Sequence, residues 1–354
     1  MANLSEIAEQ VGISKTAVSL YLNDPTTTRL SKEKKGRIDE VIKALSYRPN
    51  VIARSLSQNR TRTISIIIPY NGTLFRSSFV NEVLSGIQSE LFRNGYSMIF
   101  LPTRGEDSPI MVKNHLKISH GYDGLIIFGT RYCTMEALEN NVDQLLEAGS
   151  PFVTVNMPEL HHSVNQVILR TPRQSNPIQY FINTGHKRIL LVIGREHDPE
   201  SIETLQLCRS TLERNDIQPQ PELVVYGDYE RDIARSEVLK SVKLGSSFTA
   251  VYALSDTMAI GVYEALKELD CSIPGDVSVI GTNDSFFSCN MAPPLTTIRK
   301  QVFACGEEAA KLLLRTINTG KTGRKVWLDS ELVLRSSTRV CIEEVKAAEP
   351  ATNM

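Results

Sequence analysis

Apolar positions recur in two rhythms along this chain, and the change falls near residue 63. Before it the spacing is helical. Leu4, Ile7, Ala8 and Val11 mark one face of a first helix. Asn3 stands ahead of them as an N-cap, with Glu6 three residues on, in the order of a capping box. Gly12 supplies a sharp turn, where positive φ costs a glycine nothing. Ser14 can cap a second helix whose inward positions are Val18 and Leu22, leaving Lys15, Thr16, Ser19 and Leu20 outward. A polar loop from Asp24 to Arg29 leads to a third helix, capped by Ser31 and running to about Leu45, with Ile38, Val41, Ile42 and Leu45 on one face. This is the pattern of a helix-turn-helix, whose second helix enters the DNA major groove with its first residues on base edges. The plain alternative is a helical hairpin that opens a domain. Three such helices close only a minimal core.

Tyr47-Arg48-Pro49-Asn50 ends the third helix, because the residue before proline avoids the α region. The next stretch sets Val51, Ile52, Ala53 and Leu56 among Arg54, Arg60 and Arg62. It is too short for a stable isolated helix. It reads either as a linker or as a hinge that folds on DNA, with a leucine wedged between minor-groove base steps.

From Thr63 the rhythm becomes strand, helix, strand. Strands are expected at 63–69, 96–102, 123–129 and 151–156, with helices at 79–93, 109–119 and 134–148 between them. A second series follows with strands at 164–170, 187–194, 222–227, 249–255 and 276–281. Its helices fall at 173–184, 200–214, 230–243 and 257–269. The β-branched runs suit strands buried on both faces. Alternation of this kind gives parallel sheets with right-handed crossovers. Two series meeting near Pro158 indicate two similar α/β lobes. After Gly281 the beat breaks: LTTIRK (295–300), a helix to about Thr319, then short strands VWLDSEL and STRVCI. The simplest account is a chain that passes between the lobes more than once and lets them close on each other.

The expected division is a head at 1–48, a hinge at 49–62, a two-lobe core at 63–340 and a tail at 341–354. The first lobe would hold 63–158 and 292–320, the second 159–291 and 321–340.

Composition narrows the function. Net charge is −1, but residues 1–60 carry ten lysines and arginines against six acids, a net +4, which leaves −5 for the rest. A basic head on an acidic body fits a head that meets phosphates. The six cysteines are scattered without a CxxC pair, and buried free thiols are the simplest reading. No membrane-length apolar run and no signal peptide stand out, so the cytoplasm is the expected compartment. GxGxxG and GxxxxGK[ST] are both missing, and no nucleophile elbow, metal cluster or carboxylate pair appears. An enzyme is therefore not expected, and no cofactor. A two-lobe solute receptor explains the core but not the basic head.

The blocks IAEQVGISKTAVSLYLN, SKEKKGRIDEVIKALSYRPNVIARSL, GYDGLIIFG, TGHKRILLVIG, LSDTMAIGVYEAL, DVSVIGTND and PPLTTIRK together resemble the lac/gal repressor family of bacterial transcription regulators. The resemblance spans essentially the whole chain. It implies an all-α helix-turn-helix head, a hinge helix, and an α/β core of two Rossmann-like lobes of the periplasmic-binding-protein type. It also implies a homodimer, a near-palindromic DNA operator and a small-molecule effector. An inducer and a corepressor would use the same parts with opposite sign. The tail lacks leucine heptads, so a dimer joined through core faces such as helices 79–93 and 257–269 is expected rather than a coiled-coil tetramer.

Carried onto this sequence, the resemblance gives a DNA-contacting set of Ser14, Lys15, Thr16, Ala17, Ser19, Leu20, Asn23, Asn50, Ala53, Arg54 and Leu56. Lys15, Thr16 and Leu20 fall on the base-reading positions, Ala17 and Ser19 beside the backbone, and Leu56 on the intercalating leucine. Lys15 can donate to guanine, and Leu20 can make only apolar contact. Ligands in open α/β sheets sit beyond the carboxyl ends of the strands. Those ends offer Phe75, Arg76, Arg104, Arg131, Tyr132, Asn156, Arg195, Tyr229, Ser255, Asp256 and Asn283. The family's sugar-gripping arginine falls on Thr204, with Leu207 in place of a glycine; its N-D asparagine falls on Ser255 and the first aspartate of its G-x-D-D block on Asn283. The surplus of arginine suggests an anionic effector such as a sugar phosphate; equally, these arginines are rim residues.

Overall fold

The computed structural model describes residues 3–47, 60–68, 75, 77–101, 121–129, 135–157, 159–160, 162–172 and 176–341. The chain forms two compact units, residues 1–61 and 62–354.

In the first unit, α1 is Leu4–Val11, α2 Lys15–Asn23 and α3 Lys32–Ala44. Their starts are fixed by side chains. Asn3 Oδ1 accepts the N–H groups of Ser5 and Glu6 at 2.8 and 3.1 Å, and its amide donates to Glu6 Oε1 at 2.8 Å. The return bond of the capping box thus reaches the cap side chain. Ser14 and Ser31 accept from Ala17 N and Lys34 N. Each such cap contributes about 1 kcal/mol. Gly12 turns the chain at φ 73°. The core is Ile7, Ala8, Val18, Tyr21 and Ile38. Tyr21, which apolar spacing alone passes over, takes the inward place, and Leu22 is only partly buried. The phenol keeps its tip satisfied by donating to Asp39 Oδ2 at 2.8 Å, while the Lys35 ammonium lies 5.9 Å over the ring.

The second unit is built on two six-stranded sheets. In the first, β1 (Thr63–Ile67), β2 (Ser97–Leu101), β3 (Gly124–Phe128), β4 (Phe152–Val155), β5 (Asn165–Arg170) and β11 (Lys325–Asp329) lie in the order β11-β5-β4-β3-β1-β2. In the second, β6 (Ile189–Ile193), β7 (Val224–Tyr226), β8 (Ala250–Ala253), β9 (Ser278–Thr282), β10 (Thr296–Arg299) and β12 (Glu331–Val333) lie in the order β12-β10-β9-β8-β6-β7. Each sheet reverses its winding beside its first strand, so each has a switch point where a crevice opens. Helices α4 (Ser78–Arg93), α5 (Met135–Ala148) and α10 (Val302–Thr319) belong with the first sheet. Helices α6 (Pro177–Asn183), α7 (Pro199–Glu213), α8 (Arg231–Lys243) and α9 (Asp256–Glu268) belong with the second. Strands β3, β6 and β9 are buried along their whole length, as sheets covered on both faces require.

The lobe boundaries need correction. Strand 165–170, expected to open the second lobe, pairs with β4 in the first sheet. Strand β10, expected in the first lobe with 292–320, pairs with β9 in the second. The run VWLDSEL is not one strand: β11 joins β5 in the first sheet, and β12 pairs antiparallel with β10 in the second. The chain therefore crosses between lobes three times: between β5 and α6, between β10 and α10, and between β11 and β12. Alternation alone does not say which sheet takes a strand; the partner edge does. The helix expected at 109–119 lies outside the described residues.

The strand expected at STRVCI is absent from its described part, residues 337–341. Ser337, fully buried, substitutes for a ladder: its hydroxyl donates to Val279 O at 2.6 Å and accepts from Thr296 N at 2.8 Å. Ser337→Ala leaves both backbone groups without that partner and should cost about 1–3 kcal/mol of core stability, measured by urea unfolding.

Candidate functional site

In the first unit, the start of α2 faces solvent. Ser14, Lys15 and Thr16 are exposed, and Ala17, Ser19 and Leu20 are partly so. Ser14 is committed to the cap, which leaves Lys15 and Thr16 as side chains free to meet a groove. Asn23 closes α2, and its side chain lies outside the described residues, as do Asn50, Ala53, Arg54 and Leu56. Lys35 is spent inside the unit, donating to Pro25 O at 2.8 Å.

In the second unit, a cleft lies between the sheets at their carboxyl ends. It holds two connected cavities, of about 360 and about 560 Å³. The smaller is lined by Phe79, Phe128, Tyr229, Leu254, Ser255 and Asn283, among others. The larger, on the side of the crossing segments, is lined by Leu169, Glu203, Thr204, Lys300 and Trp327. Gly129, Asn156 and Glu200 border both. The cleft brings together Asn156, Tyr229, Ser255, Asn283 and Thr204 of the expected ligand set.

The backbone is distorted here. Among the described residues, five of nine non-glycine residues at positive φ sit at strand ends around the cleft: Asn156, Asp228, Tyr229, Asn283 and Asp284. Asn and Asp enter this region most readily, so the strain falls chiefly on Tyr229 and on Asn283, whose φ lies beyond the left-handed well. Asn283, at φ 107°, aims a buried Oδ1 that finds no hydrogen-bond partner. Asp284 behind it is gripped by Arg335 and Arg299, both at 2.6 Å. The Tyr229 ring lies against Gly194, where a Cβ would meet it at 2.1 Å. Its hydroxyl donates to Asp198 Oδ2 at 3.3 Å. Asp198, almost wholly buried, also caps α7 by accepting from Ser201 N at 2.9 Å, and burial pushes its carboxyl up from the usual carboxylate range.

Three expected ligand residues do not line the cavities. Asp256 is fully buried: its carboxylate accepts from the Thr297 hydroxyl at 2.7 Å and from Ser285 N at 2.6 Å. Burial pushes this carboxyl up to about 7. It ties the loop after β9 to strand β10 and has no face left for a ligand. Arg195 is held by Asp228 through both ends of its guanidinium. Phe75 is exposed and stands edge-on to Phe100, ring centroids 5.7 Å apart. Arg76, Arg104, Arg131 and Tyr132 lie outside the described residues.

The anionic reading loses its ground among the described residues. The two cavities are lined by six carboxylates (Glu159, Asp198, Glu200, Glu203, Glu230 and Asp232) against three cations, Arg170, Arg231 and Lys300. All three cations are already paired, with Asp329, Asp232 and Glu200. Sequence reasoning missed Glu200, Lys300 and Trp327. Lys300 and Trp327 reach the cleft beside the crossings, which no local pattern marks, and Glu200 reaches it from the first turn of α7.

Residues 3–50 match bacterial regulatory proteins of the lacI family, and residues 178–338 match a periplasmic binding protein-like domain. The HTH-type transcriptional repressor PurR of Histophilus somni is 28% identical over 345 residues, covering 96% of this chain and 99% of that protein. A transcriptional regulator CelR–cellobiose complex superposes with a TM-score of 0.69 at 25% identity, over 95% of this chain and 100% of that one. The Lac repressor dimer bound to operator and the anti-inducer ONPF gives a TM-score of 0.82 at 22% identity, over 96% and 99%. Among the described residues no helix is long and apolar enough to cross a membrane, and no group of three or more His, Cys, Asp or Glu side chains could hold a metal ion.

Proposed function

Because the chain belongs to the lacI family of bacterial regulatory proteins, we propose that it is a homodimeric repressor that reads a two-half-site operator and releases or tightens on it when a small molecule fills the interlobe cleft. The observation that carries the reading is one chain holding both an exposed, capped helix start with Lys15 and Thr16 and a strained, two-lobe cleft. The head acts by positioning: Lys15 and Thr16 read base edges, Leu20 meets a thymine methyl, and Ser14, Ala17, Ser19 and Asn23 lie along the backbone. The hinge carries Asn50, Ala53 and Arg54 to the minor groove and inserts Leu56 between base steps. The effector shifts operator affinity by as much as its affinities for the open and closed lobes differ.

The polar groups facing the cavities that carry no charge, Asn156, Ser255, Thr257, Asn283 and Thr204, outnumber the unpaired charged ones. They support an uncharged, hydroxyl-bearing effector that lays an apolar face on Phe79, Phe128 or Tyr229.

Fluorescence anisotropy with duplexes from the promoters flanking the gene tests the reading. A specific duplex should bind with a steep salt dependence. Lys15→Ala should weaken that duplex about ten- to a hundredfold and random duplex far less, the mark of a base contact. Equal loss on both duplexes would make Lys15 a phosphate contact, and no selective duplex at all would end the regulator reading.

A further inference from the structure

The larger cavity contains an ion pair that no element-by-element reading of the sequence places there. Lys300 follows the last residue of β10, and α10 begins at Val302, so Lys300 sits on one of the crossings between lobes. Its ammonium reaches Glu200 in the first turn of α7, and only 12% of its side chain is exposed. Glu200 borders both cavities. Thr204 lines the same cavity one helical turn away. Its hydroxyl is short and uncharged.

We propose that Lys300 and Glu200, the ion pair set into the cavity wall, together read the effector. This rests on the cleft being the effector site. The pair is electrically closed, so it offers a singly charged ligand little net attraction, the pull of one partner being offset by the push of the other. A hydroxyl both donates and accepts. Two neighbouring hydroxyls satisfy both partners at once, one accepting from Lys300 Nζ and the other donating to the Glu200 carboxylate. The chemistry recognised is therefore a neutral molecule with adjacent hydroxyls. The position of Lys300 matters as much as its charge. A molecule held by α7 and by the crossing segment is held by the second lobe and by the chain's path into the first. Binding and lobe geometry are then coupled through one side chain.

The chain's single tryptophan, Trp327, lines this cavity and is partly exposed, so its emission reports on occupancy. The full-length protein would be titrated with D-ribose, cellobiose, D-ribose 5-phosphate and D-glucosamine, with the fluorescence of Trp327 as readout. A neutral sugar should give a saturable change and the two charged probes none. Lys300→Met should weaken that sugar about ten- to a hundredfold, the loss of a charged hydrogen bond, and Lys300→Arg should restore most of it. Thr204→Val should change affinity by less than about threefold, since a lone hydroxyl contact is worth little net. Lys300→Met binding as tightly as the parent overturns the proposal. So does saturable binding of a charged probe alone, or of none of the four. Operator anisotropy in saturating sugar separates the two readings. A Lys300-dependent sugar that leaves operator affinity unchanged refutes the effector role and keeps the contact.

Discussion

Ile38→Ala should severely weaken operator binding while leaving the larger unit folded. Ile38 is fully buried at the centre of the three-helix core, against Ile7, Val18 and Tyr21. Truncating such a side chain costs about 2–5 kcal/mol. A single core below about 70–80 residues rarely supplies more than about 3–5 kcal/mol in total, so the loss is comparable to the whole stability of the head. Apparent operator affinity falls in proportion to the fraction of heads still folded, and excess duplex recovers part of it by mass action. Differential scanning calorimetry should show the core transition unmoved, because the two units are separately compact. Lys15→Ala provides the contrast, since it removes a contact from a folded head. If Ile38→Ala kept operator affinity within about threefold, the head would be drawing its stability from elsewhere.

What could be read from the sequence follows from what is local. Helix starts are local, since Asn3, Ser14 and Ser31 bond the N–H groups of residues two or three positions on. Strand runs are nearly so: β3 and β6 are buried throughout and read as continuous apolar stretches. Sheet membership is not local. VWLDSEL reads as one run, yet Ser330, buried, turns it from a parallel edge to an antiparallel one. Nor is the replacement of a strand by Ser337, whose two partners lie more than forty residues away.

The candidate site divides the same way. The switch-point rule puts Asn156, Tyr229, Ser255 and Asn283 at the cleft, because strand ends follow from the apolar runs. It failed where pairing decides. Arg195 counts as a free cation on paper, but Asp228 holds it. Asp256 counts as a ligand carboxylate, but Thr297 and Ser285 consume both its oxygens. Lys300 reads as the end of a strand, and only its place on a crossing brings it to the cavity wall. An inventory of charges becomes an electrostatic argument only after the pairs are known.

Gly86→Ala, a substitution that helix propensity alone favours by about 1 kcal/mol, should instead be severely destabilising. Helices α4 and α10 cross with their backbones in contact, and the crossing is reciprocal. A Cβ at Gly86 would stand 2.0 Å from Phe303 O, and one at Gly306 would stand 2.1 Å from Val83 O. A carbonyl bound into a helix cannot rotate aside, so the helices must part, and Val83, Ile87, Val302 and Ala309 lose packing together. Overpacking of this kind costs about 1–3 kcal/mol and occasionally more; a clash with backbone on both sides of a crossing belongs at the upper end. Because α10 follows directly on the Lys300 crossing, the displacement should also blunt any ligand-driven change in operator affinity. Gly36→Ala in α3 is the control: nothing lies within 4 Å of its Cβ position, so the propensity gain of about 0.5–1 kcal/mol should appear there undiminished. Urea unfolding of the two variants should therefore move in opposite directions. A Gly86→Ala protein as stable as its parent would mean that the helices are free to separate, and that the first lobe is not the rigid body against which the second one moves.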